Sequence, residues 1–218
     1  MDPDADFWKA IRTGDRRTVE SIVAARPSLV TARHEGASAL LIARYHGRHD
    51  VVASLRAHIA ELDIFEACAL GGHERVQKLF GRNPALANAV AEDGFGPLGL
   101  ASFFSHEPVV RLLLERGARV DTPSSNAMRV MPLHSAAAAR SVPIARLLLA
   151  RGAPVNARQG ADEMGFTPLM EGALNGQTEM VDLLLDHGAD RNMRDDEGLT
   201  AGDHARQNGH TTLAERLA

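Results

Sequence analysis

One phrase returns along this chain at nearly constant intervals, and any fold must accommodate it. Its fullest copy is Thr167-Pro168-Leu169-Met170-Glu171-Gly172-Ala173-Leu174-Asn175-Gly176, then Met180-Val181, Leu183-Leu184-Leu185 and Gly188-Ala189-Asp190. The copy before it has Pro132-Leu133-His134-Ser135-Ala136-Ala137, Ile144, Leu147-Leu148-Leu149, Gly152-Ala153 and Asn156. A third has Pro97-Leu98, Ala101, Val109-Val110, Leu112-Leu113-Leu114 and Gly117-Ala118. The middle of the phrase falls at Gly14, Gly47, Gly72, Ser105, Arg140, Gly176 and Gly209, an interval of about 33 residues with one step about eight residues short.

Each part of the phrase has a physical reading. Thr167 can cap a helix whose first residue, Pro168, lacks only an N–H that has no partner there anyway. The glycine in mid-phrase permits a left-handed backbone between two antiparallel helices, and serine or arginine there carries a cost. A leucine triplet puts apolar groups on several sides of the second helix, which requires neighbouring units to cover it. Gly117, Gly152 and Gly188 then end that helix. The chain therefore reads as all-α, about seven helix-turn-helix units at 4–33, 34–60, 61–91, 92–121, 128–158, 163–193 and 196–218.

This phrase resembles the ankyrin repeat, with its Thr-Pro-Leu-His opening, alanine pair, glycine turn, Val-Val and leucine triplet, and Gly-Ala-Asp ending. The resemblance is strong over 94–218 and weaker but in register over 4–93, and it is to short, bacterial-type, stand-alone members. It implies a solenoid with projecting hairpin loops between units. His134 alone keeps the histidine of the opening, with Met170, Gly99, Leu41 and Glu66 in the equivalent places, so those units are expected to lack its hydrogen bonds.

Two departures from the frame stand out. Too few residues separate Leu55 from Ile64 for a projecting loop, so one finger is expected to be missing. Val120 to Met131 and Asn156 to Thr167 are longer than the frame needs, and longer reach is expected of them. Phe7, Trp8, Ile11, Val19, Ile22 and Val23 read as the apolar face of an N-terminal cap over 1–33, and 196–218 as a polar C-terminal cap, so that 1–218 reads as a single domain.

Composition agrees. A 44% hydrophobic content supports a core, while only 4% aromatic residues suits closely spaced helices better than a sheet. The net charge of −4, with no basic run, recommends neither nucleic acid nor an anionic membrane. No stretch nears the roughly 20 apolar residues that a membrane span needs, and the acidic start is unlike a signal peptide. The lone Cys68 suits a reducing compartment, so a cytoplasmic location and a monomer are expected.

Searching for chemistry yields none. His46 and His49 straddle a turn and lack a third ligand, Ser38 occupies a cap position, and Cys68 aligns with core alanines. Neither catalysis, a metal nor a cofactor is expected. The function expected of the resemblance is that of a non-catalytic scaffold or adaptor binding a protein through its concave face and loop tips. An alternative is a regulator or protector of a particular enzyme, possibly one of the oxidative-stress response. Recognition residues should follow the alanine pair or sit at loop tips: Tyr45, His46, Phe103, Phe104, Leu174 and Asn175 on helices, Phe95 and Phe166 at tips, and Arg129, Arg158 and Glu163 as a polar rim. Of the adjacent pair Phe103 and Phe104, one ring is expected to be packed and the other available, and Phe95, Phe103 and Phe166 together to border an apolar patch.

Overall fold

The structure is a computed structural model that describes residues 4–160 and 164–218. Among the described residues fourteen α-helices form seven pairs: α1 (Ala5–Thr13) with α2 (Arg16–Ala25), α3 (Ala39–Tyr45) with α4 (His49–Ala57), and α5 (Ile64–Ala69) with α6 (His73–Arg82). The remaining pairs are α7 (Pro97–Phe103) with α8 (Glu107–Glu115), α9 (Pro132–Ala138) with α10 (Val142–Leu149), α11 (Pro168–Leu174) with α12 (Thr178–Asp186), and α13 (Ala201–Gln207) with α14 (Thr211–Leu217). Among the described residues the only strands are a two-residue hairpin, β1 (Arg33–His34) paired antiparallel with β2 (Ala37–Ser38).

The odd-numbered helices stand side by side as an inner row, and the even-numbered helices back them as an outer row. Alanine at the helix centres sets the spacing of the inner row: Ala43, Ala67, Ala101, Ala136 and Ala173 are completely buried. The leucine triplets fill the space between the rows. Leu113, Leu148 and Leu184 are fully buried, and burying each contributes roughly 2 kcal/mol. Their flanking leucines are buried or half-buried against neighbouring units, which is what a triplet on several helix sides requires.

Helix ends follow the local sequence. Thr167 Oγ1 accepts from Met170 N at 3.3 Å, Ser38 Oγ from Leu41 N at 3.3 Å, and Pro97, Pro132 and Pro168 open their helices. At the third inter-helix turn the left-handed residue is Gly71, with φ of 72°, not Gly72 as the repeat alignment suggests. Gly72 instead precedes α6, with an ordinary negative φ. A side chain at Gly71 would also run into the imidazole of His106 at 2.6 Å, so both shape and conformation demand glycine there. Ser105 and Arg140 adopt the left-handed conformation without glycine, the local strain expected of those two turns.

Candidate functional site

Among the described residues, loops project from the inner row like fingers at 33–38, 89–96, 120–131, 156–160 with 164–167, and 190–200. The link 58–63 carries no finger, as its length predicts. Backbone bonds tie neighbouring tips together. Ser125 N donates to Gly94 O (2.9 Å), Gly160 N to Met128 O (2.7 Å) and Asp196 N to Met164 O (3.0 Å). The extra length of 120–131 therefore does not give free reach. It folds back, with Ser124 Oγ accepting from Val130 N and Asn126 Nδ2 reaching Asp93 O.

His134 fastens the finger row to the inner helices. Its Nδ1 accepts from Met131 N at 3.3 Å, and Nε2 meets the carbonyls of Ala157 at 3.1 Å and Phe166 at 3.2 Å. Burial pushes its pKa down to about 4, so the ring is neutral. Glu66, in the equivalent place, forms a different tether: its carboxylate accepts from Ser38 Oγ (2.8 Å) and Asp63 N (3.1 Å). In the last finger, burial opposes the charge on Asp195, but bonds from Leu199 N, His204 Nε2 and Glu197 N outweigh it and hold the pKa below the usual carboxylate range.

Inner helices and fingers meet at an angle, and the groove in that angle deepens around an aromatic cluster. Tyr45 lies 6.1 Å from Phe95 and 5.8 Å, stacked, from Phe104 (centroid distances), while Phe103 meets Phe104 edge-on at 5.1 Å. Arg44 sits over the Phe104 face at 4.4 Å. Phe104 is thus the packed ring of the pair and Phe103 the open one, 44% exposed. Tyr45 Oη donates to Asp93 at 3.0 Å; burial, then the charge of Asp93, pushes the phenol pKa up. A cavity of about 360 Å³ opens between Tyr45, Phe95 and Phe103 on one side and Met128, Val130 and Ala138 on the other. Gln159 and Glu171 supply its polar end, and Gln159 Oε1 is buried with no hydrogen-bond donor among the described residues.

The structure brings together only part of the expected recognition set. Tyr45, Phe95, Phe103 and Phe104 cluster. Phe166 does not join them: it is only 5% exposed, its ring held 4.6 Å from His204, so the patch cannot include it. Arg158 is engaged by the next finger, through Arg194 O and Asp196, both at 2.7 Å. Asn175 caps α11 and bonds back to Glu171, Leu174 packs half-buried on the core, and His46 is exposed beyond the cluster. Arg129 is exposed at a finger tip with φ of 48°, and Glu163 lies outside the described residues. Sequence reasoning missed Met128, Gln159 and Glu171 as lining residues. Met128 carried a signal, since a flexible apolar side chain in an over-long finger is a natural gap-filler.

Reactive groups sit elsewhere, in structural positions. Ser38 is an N-cap, and burial pushes the Cys68 thiol up, away from the reactive thiolate. Among the described residues no group of three or more His, Cys, Asp or Glu side chains is placed to hold a metal, and no helix is long and apolar enough to cross a membrane.

Comparison with known proteins fits this architecture. Residues 64–159 match the family model for ankyrin repeats in three copies, and residues 164–196 match the model of the single ankyrin repeat. The chain belongs to the ankyrin-repeat family. It is 32% identical over 141 residues to mouse (Mus musculus) "Ankyrin repeat and SAM domain-containing protein 6", covering 65% of this chain and 12% of that protein. Human (Homo sapiens) "Espin-like protein" is 43% identical over 56 residues, 26% of this chain and 6% of the relative. Human "ARF GTPase-activating protein GIT1" is 51% identical over 55 residues, 25% and 7% respectively. The chain thus spans only a small part of these relatives. Ankyrin repeats generally mediate protein–protein interaction.

Proposed function

We propose that this ankyrin-repeat chain is a non-catalytic adaptor that binds an extended or helical segment of a protein partner in the groove between inner helices and fingers. The observation that carries the reading is the aromatic cavity itself: Phe103 stands open beside Tyr45 and Phe95, while Gln159 Oε1 has, among the described residues, no donor such as a bound backbone N–H would provide. An apolar anchor entering the cavity would displace water from three rings, the kind of contact that dominates interface energetics. Preformed walls reduce the ordering cost of docking, since the finger ties and the Tyr45–Asp93 bond exist before any partner arrives. Arg129 stands at the rim for polar contacts. The lone cysteine, Cys68, supports a reducing compartment such as the cytoplasm for this role.

The test is a random-peptide phage library selected on the wild-type chain and re-assayed on Phe103→Ala, with helicity checked by circular dichroism. Peptides that lose about 30-fold in affinity on the variant are expected, corresponding to a truncated hot spot of about 2 kcal/mol. A pool indifferent to Phe103→Ala would sink the groove as the working surface.

A further inference from the structure

The short link 58–63 alters the outer row as well as removing a finger. Outer helices pack on one another at four junctions, α2 on α4, α6 on α8, α8 on α10 and α10 on α12, but α4 and α6, like α12 and α14 at the C-terminal end of the row, barely touch. The place where α4 and α6 would meet is a cleft of about 880 Å³. Its origin is local. Ile59 and Leu62 are drawn into the core, and Arg56 and Arg75 hold the carbonyls of the link, Ile59 O at 2.6 Å and Leu62 O at 2.7 Å, so the chain runs straight into α5.

The cleft has a sign. Arg75, Lys78 and Arg82 recur at helical spacing along one side of α6, and Arg56 faces them from α4. The net charge and the lack of a basic run in the sequence conceal this local basic face. Against these four cations stand two carboxylates in the lining, Glu61 and Glu74. Glu61 takes both Arg75 (3.0 Å) and Arg82 (3.7 Å), and Lys78 has no ion-pair partner among the described residues. On a chain of net charge −4, the cleft is a local positive excess. Its floor is apolar where the half-buried Leu70 and the exposed Ala60 meet it.

We infer that this cleft is a second docking site, distinct from the groove, and that it receives an acidic amphipathic helix from a protein partner. The vacancy lies within a row of helices, and a helix about 10 Å across is the element that such a row accepts. Apolar side chains would cover Leu70 and Ala60, while flanking Asp or Glu would meet Lys78 and Arg82. A nucleic-acid strand fits less well, because Glu61 and Glu74 would stand among its phosphates.

The experiment uses the full chain and a random-peptide phage library, depleted on the doubly substituted Lys78→Glu, Arg82→Glu variant and then selected on wild type. Both side chains are exposed, so the variant is expected to keep its helicity. The surviving peptides should carry Asp or Glu beside large apolar residues. They should bind the variant at least about tenfold more weakly, weaken with added salt, and be indifferent to Phe103→Ala. An empty pool, a pool without acidic residues, or displacement of the peptides by duplex DNA at comparable concentration would overturn the proposal. Because the readout is independent of Phe103, failure here leaves the groove reading untouched, and the reverse holds.

Discussion

The junction between α8 and α10 and the junction between α4 and α6 carry out the same task with different means. At the first, a long finger lies against its neighbours on both sides and the outer helices pack in contact. At the second there is no finger, the outer helices stand apart, and the two flanking fingers close directly on each other: a side chain at Gly36, in the tip 33–38, would overlap the backbone of Glu92 and Asp93 at 2.5 Å. Unit-to-unit attachment in this solenoid is therefore divided between finger ties and helix packing. Where the chain removes one finger, a contact between the fingers on either side of the gap replaces it.

The largest effect is expected where one side chain holds several groups. His134→Ala removes the partner of Met131 N and of the Ala157 and Phe166 carbonyls and leaves a buried void. A loss of about 3 kcal/mol in urea denaturation is expected. The same residue makes an acid ramp. Its pKa is about 4 in the fold and ordinarily 6.5, so the unfolded chain takes up the proton first as pH falls. The stability from keeping the ring neutral is complete above pH 6.5 and is lost between 6.5 and 4, by up to about 3 kcal/mol. His134→Gln should flatten that slope; an unchanged pH profile would show that the finger row does not depend on the neutral imidazole.

A pair of glycine substitutions separates finger contact from backbone strain. Gly36 and Gly47 both have positive φ, 83° and 66°, but a side chain at Gly47 meets nothing within 4 Å. Gly47→Ala should therefore cost only the conformational strain, about 1 kcal/mol. Gly36→Ala should cost about 2 kcal/mol or more, because the fingers must also move apart. Equal melting temperatures for the two variants would mean that closure over the missing finger contributes nothing to stability.

Much of this was legible in the sequence for a definite reason. The helix pairs, caps and leucine triplets obey local rules, so Thr167, Pro168 and the triplet at Leu183 to Leu185 reveal their places without any tertiary knowledge. The missing finger was legible too, as a matter of chain length between Leu55 and Ile64. What that absence does was not, because the approach of Gly36 to Asp93 joins residues far apart in the chain. Phe166 failed for a similar reason: the frame puts it at a loop tip, but whether a tip ring faces solvent depends on His204 of the next unit. Gln159 lines the cavity only because the finger bond from Gly160 to Met128 turns it inward, and no spacing rule contains that bond.

The smallest effect probes a side-chain bond that spans the gap and also borders the groove. Tyr45 Oη reaches across the fingerless link to Asp93, whose carboxylate also accepts from Phe95 N at 3.2 Å. Tyr45→Phe keeps the ring against Phe95 and Phe104 and removes only that bond. A stability loss of about 1 kcal/mol is expected, together with faster amide exchange confined to 89–96. Groove-selected peptides should change in affinity by no more than about threefold, since the aromatic wall remains. A larger affinity loss with the same modest stability change would mean that the hydroxyl positions the 89–96 finger for binding, and that the replacement contact over the missing finger serves the groove more than the fold.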